Sequence, residues 1–220
     1  MLNEFVRQEA RPLPVILLLD VSGSMYGEKI MALNKSVRSM IDNFADEEST
    51  QAEIHVAVVT FGGKVALHTD LKPAREIKWE DMNADGYTPL GAALDIASEI
   101  IEDKDKIPSR SYRPSVVLVS DGMPNDEDWE EKLNNFVNKG RTEKCDRWAL
   151  GIGADANEAI LEQFLGDREK KVFHAEDAVD IVKFFRFITM STTSRSRSTN
   201  PNKVTDEIKQ LDPFADEMNF

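Results

Sequence analysis

Residues 15–25 read VILLLDVSGSM: an unbroken apolar run, then a carboxylate, then hydroxyls alternating around a glycine. An apolar run without polar alternation suits a strand buried on both faces, as in a parallel sheet covered by helices on either side. Asp20 stands where that strand would end. Ser22 and Ser24 follow at alternate positions, so a loop can turn three oxygen-bearing side chains toward one point. Gly23 lets the backbone turn tightly between them.

Working outward, the pattern repeats. Residues 116–119 (VVLV) form a second buried run, ending at Ser120-Asp121, and residues 54–61 (IHVAVVTF) form another strand candidate. Gly62-Gly63 predicts a hairpin with a short returning strand from Val65 to His68. Ile30, Leu33, Val37, Met40, Ile41 and Phe44 recur at helical spacing, which predicts a helix over 28–44. After an irregular stretch at 71–86, a second helix is expected, with Thr88 as its N-cap and Pro89 in its first position. Helices over 126–139, 156–165 and 177–190 and strands over 147–152 and 171–174 complete the alternation. Alternating strands and helices with short connections predict an α/β fold: a doubly wound, mostly parallel central sheet with one short antiparallel edge strand.

The domain organisation expected from this reading is an N-terminal arm at 1–13, one α/β domain over 14–190, and a polar linker and tail over 191–220. The stretch STTSRSRSTNPN is poor in apolar residues, as linkers are, and residues 204–220 either add a short docking helix or stay free. The chain of 220 residues holds one domain of this size and leaves no room for a second large one.

A formal net charge of -13 disfavours general nucleic-acid or anionic-membrane binding, which draws on excess Lys and Arg. Cys145 is the sole cysteine, so no internal disulfide is available, and its setting reads as an ordinary free thiol. No apolar run reaches the ~18 residues of a membrane span, and the N-terminus lacks the basic-then-apolar pattern of a leader. Cytoplasm is the expected location.

In sheets of this kind, ligands bind beyond the carboxyl ends of the strands, at the switch point of strand order. The oxygen-bearing residues gather at those ends: Asp20, Ser22 and Ser24 after the first strand, Thr88 at a helix start, and Asp121 after a later strand. Two carboxylates and three hydroxyls suit a hard cation such as Mg²⁺ or Mn²⁺ completed by water. No Cys/His cluster of the kind that holds zinc is present.

Asp20-x-Ser22-x-Ser24, joined by Thr88 and Asp121, resembles the metal-ion-dependent adhesion site (MIDAS) of von Willebrand factor A (vWA) domains and integrin I domains. The resemblance covers about Pro14 to Met190. It implies a Rossmann-like vWA fold in which these five residues hold the metal directly or through water. It further implies a non-enzymatic, metal-dependent protein-protein interaction module. The Asp or Glu carboxylate of a protein partner would complete the coordination, and the last helix would shift with that event. Within the family, LLLDVSGSM, VVTFGG, GYTPLGAAL and SYRPSVVLVSDGMPND resemble bacterial TerY-like tellurite-resistance proteins. That resemblance implies a stress-response module with kinase-like and phosphatase proteins as partners.

Each residue also has a plainer reading. Asp20 alone could be a solvated loop carboxylate, Ser22 and Ser24 turn residues, Thr88 a helix cap, and Asp121 part of a turn. Their joint placement at one sheet edge argues for the site. Met25, Tyr26 and Tyr87 flank it and are candidates for a partner-contacting rim, or simply cover apolar surface. The acidic stretch from Asn125 to Glu131 reads as a solvated helix start. Gly151-x-Gly153-x-x-Ala156 follows a late strand and not the first, so it reads as a tight turn and not as a dinucleotide site. A competing class is an Mg²⁺-dependent phosphohydrolase or phospho-acceptor domain with Asp20 as nucleophile. It would call for a second acid two residues on, where Ser22 stands.

Overall fold

The computed structural model describes residues 10–47, 51–167 and 171–203. Six strands form one sheet: β1 (Arg11–Asp20), β2 (Ala52–Gly62), β3 (Lys64–Pro73), β4 (Ser115–Ser120), β5 (Asp146–Ile152) and β6 (Phe173–Ala175). Their order is β3-β2-β1-β4-β5-β6, and every neighbouring pair is parallel except β2 with β3. This is the expected α/β architecture with one antiparallel edge strand. That edge strand is longer than Val65 to His68, because it follows β2 back past a register irregularity near Val58.

Among the described residues, helices α1 (Glu28–Ala45), α2 (Leu90–Glu102), α3 (Trp129–Asn138), α4 (Glu158–Leu165) and α5 (Ala178–Arg197) cover the two faces. The pleat of β1 divides the core. Leu13, Val15, Leu17 and Leu19 join the side chains of α1 and α5 on one face. Ile16 and Leu18 join α2, α3 and α4 on the other. This two-sided burial is why VILLL carries no polar alternation. Strand order reverses at β1, whose neighbours β2 and β4 lead away to opposite edges. The crevice at the carboxyl ends of β1 and β4 is therefore the topological switch point.

Two expected boundaries move. Arg11, Pro12 and Leu13 belong to β1, and Leu13 is wholly buried, so residues 11–13 are part of the sheet and not of the arm expected at 1–13. At the other end α5 continues to Arg197, through the stretch expected to be linker. Ser191, Thr192, Arg195 and Ser196 are buried. The Arg195 guanidinium donates to Ser115 Oγ at 2.6 Å, Arg113 O at 2.8 Å and Pro201 O at 3.1 Å, and lies 3.6 Å from Asp146 Oδ2. A low apolar count misleads here because the last turns are anchored by hydrogen bonds and charge. The expectation for residues 204–220 lies outside the described residues, as does that for residues 1–9.

Candidate metal centre

Asp20 ends β1 and is fully buried. Its Oδ1 accepts from the Ser22 backbone N–H at 2.9 Å, and its Oδ2 accepts from the Ser120 hydroxyl at 2.7 Å. Among the described residues, no basic side chain forms an ion pair with it. Burial pushes the Asp20 carboxyl above its ordinary range. The hydrogen bonds from Ser22 and Ser120 oppose that shift, while the nearby Asp121 charge adds to it.

From Asp20 a continuous chain of polar contacts crosses the switch point. Ser22 Oγ lies 3.0 Å from Ser24 Oγ, and Ser24 Oγ donates to Asp121 Oδ1 at 2.7 Å. The Lys29 ammonium takes Asp121 Oδ2 at 2.7 Å. The fold thus brings Asp20, Ser22, Ser24 and Asp121 into one hydrogen-bonded array. Thr88 sits beside them: a β-carbon placed on Gly122, the residue after Asp121, would lie 4.0 Å from Thr88 Oγ1.

Backbone contacts set these loops. Val21 donates to Phe61 O at 2.9 Å and accepts from Asp85 N at 2.8 Å, while Gly23 donates to Gly86 O at 3.0 Å. The approach is so close that a β-carbon on Gly62 would stand 2.4 Å from the Val21 carbonyl carbon. Gly86 has φ +69°, and a β-carbon there would meet Gly63 Cα at 2.3 Å. Only glycine satisfies both demands at once.

Thr88 does not cap α2. The N-cap position is Pro89, the first helical residue is Leu90, and the Thr88 hydroxyl makes no hydrogen bond to any described residue. The cap comes from a different loop: Asp126 accepts from Gly91 N at 3.2 Å and Ala92 N at 2.8 Å. Asn125 Oδ1 accepts from Thr88 N at 3.1 Å, and Asn125 N donates to Thr88 O at 3.2 Å. The segment read as a solvated helix start therefore ties the Asp121 loop to the Thr88 loop, and α3 begins only at Trp129.

Of the rim candidates, Tyr26 is 82% and Tyr87 76% exposed, whereas Met25 is fully buried in the core with α1. Met25 is thus corrected from rim to core. Met123, in the loop after Asp121, is exposed. Reading by residue type also missed Ser120, Lys29 and Asn125. Ser120 could have been found as a hydroxyl at a strand end adjoining β1. Lys29 carries no comparable signal in one dimension.

The residues present fit a hard divalent cation. Among the described residues, a buried carboxylate without a basic partner, a second carboxylate and two serine hydroxyls gather at the carboxyl ends of β1 and β4, with a threonine hydroxyl that makes no hydrogen bond beside them. No group of three or more His, Cys, Asp or Glu side chains among the described residues is placed to hold a metal, so this centre has two carboxylates and relies on hydroxyls for the rest. No described helix is long and apolar enough to cross a membrane.

Comparison with known proteins agrees with this architecture. The profile of the von Willebrand factor type A domain matches residues 15–186. The chain is similar to inter-alpha-trypsin inhibitor heavy chain H4 of the pig, Sus scrofa, at 22% identity over 91% of this chain and 23% of that protein. It therefore spans about a quarter of the length of that relative. It is similar in fold to proximal thread matrix protein 1 from the mussel byssus, solved with a zinc-occupied MIDAS motif. There the TM-score is 0.64 at 17% identity, covering 84% of this chain and 48% of that one. It is also similar to the manganese-loaded TRAP protein of Plasmodium vivax, with a TM-score of 0.58 at 20% identity, covering 78% of this chain and 71% of that one.

Proposed function

This chain belongs to the von Willebrand factor type A domain family, and from that premise we propose that Asp20, Ser22, Ser24, Thr88 and Asp121 hold a divalent cation through which the domain binds an acidic residue of a protein partner. The observation that carries the reading is the Asp20 carboxylate, buried at the switch point without a basic partner among the described residues and linked through Ser22 and Ser24 to Asp121. Bound there, Mg²⁺ or Mn²⁺ supplies a Lewis-acidic position that an outside carboxylate can complete.

The chain's own groups do the rest. Ser24 donates its proton to Asp121 and accepts from Ser22 on one lone pair, which leaves the other for a cation. Ser120 and the Ser22 amide orient Asp20. Tyr26, Tyr87 and Met123 stand exposed in the loops that frame the site and offer apolar contact to whatever flanks the incoming carboxylate.

The resemblance of LLLDVSGSM and its companion motifs to TerY-like proteins favours a cytoplasmic stress-response complex with kinase-like and phosphatase partners. The metal reading is tested by calorimetry with Mg²⁺ and Mn²⁺ and by partner pull-down with and without EDTA. Asp20→Ala and Asp121→Ala should abolish metal binding and partner capture together. Retention of both by either variant sinks the reading.

A further inference from the structure

We propose that Lys29 is a built-in counter-charge that restrains the affinity of the Asp20–Asp121 centre for a divalent cation; the inference rests on the metal reading above. Lys29 lies in the first turn of α1, where the helix dipole disfavours a positive charge. The stability of that helix therefore gives no reason for a cation there. The residue it serves is Asp121, whose side chain is wholly shielded from solvent and whose Oδ2 receives the ammonium at 2.7 Å. The ammonium lies close to the loop after β5, where a β-carbon placed on Gly153 would stand 3.7 Å from Nζ.

The consequence is electrostatic. Asp20 and Asp121 together carry two negative charges, and Lys29 cancels one of them at contact distance. A doubly charged ion entering the array therefore meets a weaker attraction than two lone carboxylates would exert. The occupied centre also keeps one more positive charge than it otherwise would, which favours an incoming carboxylate. Half-burial makes the effect larger than it would be between solvated groups. Ser24 holds the other oxygen of Asp121, so removing Lys29 does not leave that carboxylate without a hydrogen bond.

The test is Mn²⁺ titration of the full chain by calorimetry, comparing wild type with Lys29→Gln and Lys29→Arg. Gln keeps a donor to Asp121 and removes the charge; Arg keeps the charge. The expected result is Mn²⁺ affinity about tenfold tighter in Lys29→Gln and close to wild type in Lys29→Arg. Thermal melts of the metal-free variants check folding, with Lys29→Met as a second neutral variant should Gln misfold. Unchanged or weaker Mn²⁺ binding in the folded neutral variant, with wild type binding normally, overturns the role of Lys29 and leaves the metal reading standing. Absence of Mn²⁺ binding in wild type and variants alike overturns the metal reading, and this inference with it.

Discussion

Ser120 donates its hydroxyl proton to Asp20 Oδ2 at 2.7 Å, joining the carboxyl ends of two neighbouring parallel strands. The Ser22 amide holds the other oxygen, so the carboxylate is oriented from both sides. Outer groups of this kind tune metal affinity by about 10–100-fold. Ser120→Ala should therefore weaken Mn²⁺ binding by roughly tenfold, although Ser120 is none of the five proposed ligands. Calorimetry on the two proteins checks it; equal affinities mean that the hydrogen bond does not orient Asp20.

Asp20 itself should trade stability for binding. Burial raises its carboxyl in the folded, metal-free domain. The domain is thus relieved of this cost below the unfolded carboxylate pKa and loses stability as pH rises through the raised folded value. Asp20→Asn removes the ionisation, so the metal-free variant should melt a few degrees higher than wild type at neutral pH, with the gap closing in acid. A rise of about 2–4 °C corresponds to ~1 kcal/mol in a domain of this size. Added Mn²⁺ should raise the melting temperature of wild type and not of the variant. Differential scanning calorimetry across pH reads both effects.

The C-terminal turns of α5 should be structural. Arg195 is 2% exposed and is tied to Ser115, Arg113 and Asp146. Arg195→Met leaves the Asp146 carboxylate buried with less of its countercharge, while Arg113 still pairs with it at 3.2 Å. Loss of one partner of a buried pair costs about 3–5 kcal/mol. Urea denaturation should show that loss, and truncation after Met190 should be at least as damaging. A variant as stable as wild type would return residues 191–197 to the status of a linker.

Cys145 should be inert while the domain is folded. The thiol is buried and its pKa is pushed up to about 12, burial being the main cause. Thiolate is the reactive form, and an unfolded cysteine ionises near ~8.5. At pH 8 a disulfide reagent should label the native chain more than about a hundredfold slower than the denatured chain. Comparable rates would show that the thiol is accessible.

Legibility differed from residue to residue. Asp20, Ser22 and Ser24 could be read because they are adjacent, follow an apolar run, and share one alternation. Thr88 and Asp121 could be joined to them because each sits at a predicted strand or helix boundary. Met25 could not be placed, since an apolar residue in a polar loop looks the same whether it faces water or the core; here it turns inward against α1. Asp126 could not be recognised as the cap of α2, because it lies in a different loop, far along the chain from its partners Gly91 and Ala92 in the first turn of that helix. Arg195 was misread for the same reason: its partners on β4, β5 and the preceding loop are remote in sequence.

Periodicity and local chemistry alone determined the α/β alternation, the two-faced burial of β1, and the strand-end position of the candidate oxygens, since each depends on side chains a few residues apart. Strand order, the Ser120–Asp20 and Lys29–Asp121 contacts, and the true end of α5 were decided only by the tertiary structure. Those features depend on charges and hydrogen-bond donors that meet across the fold, and the linear order of residues does not encode the distance between them.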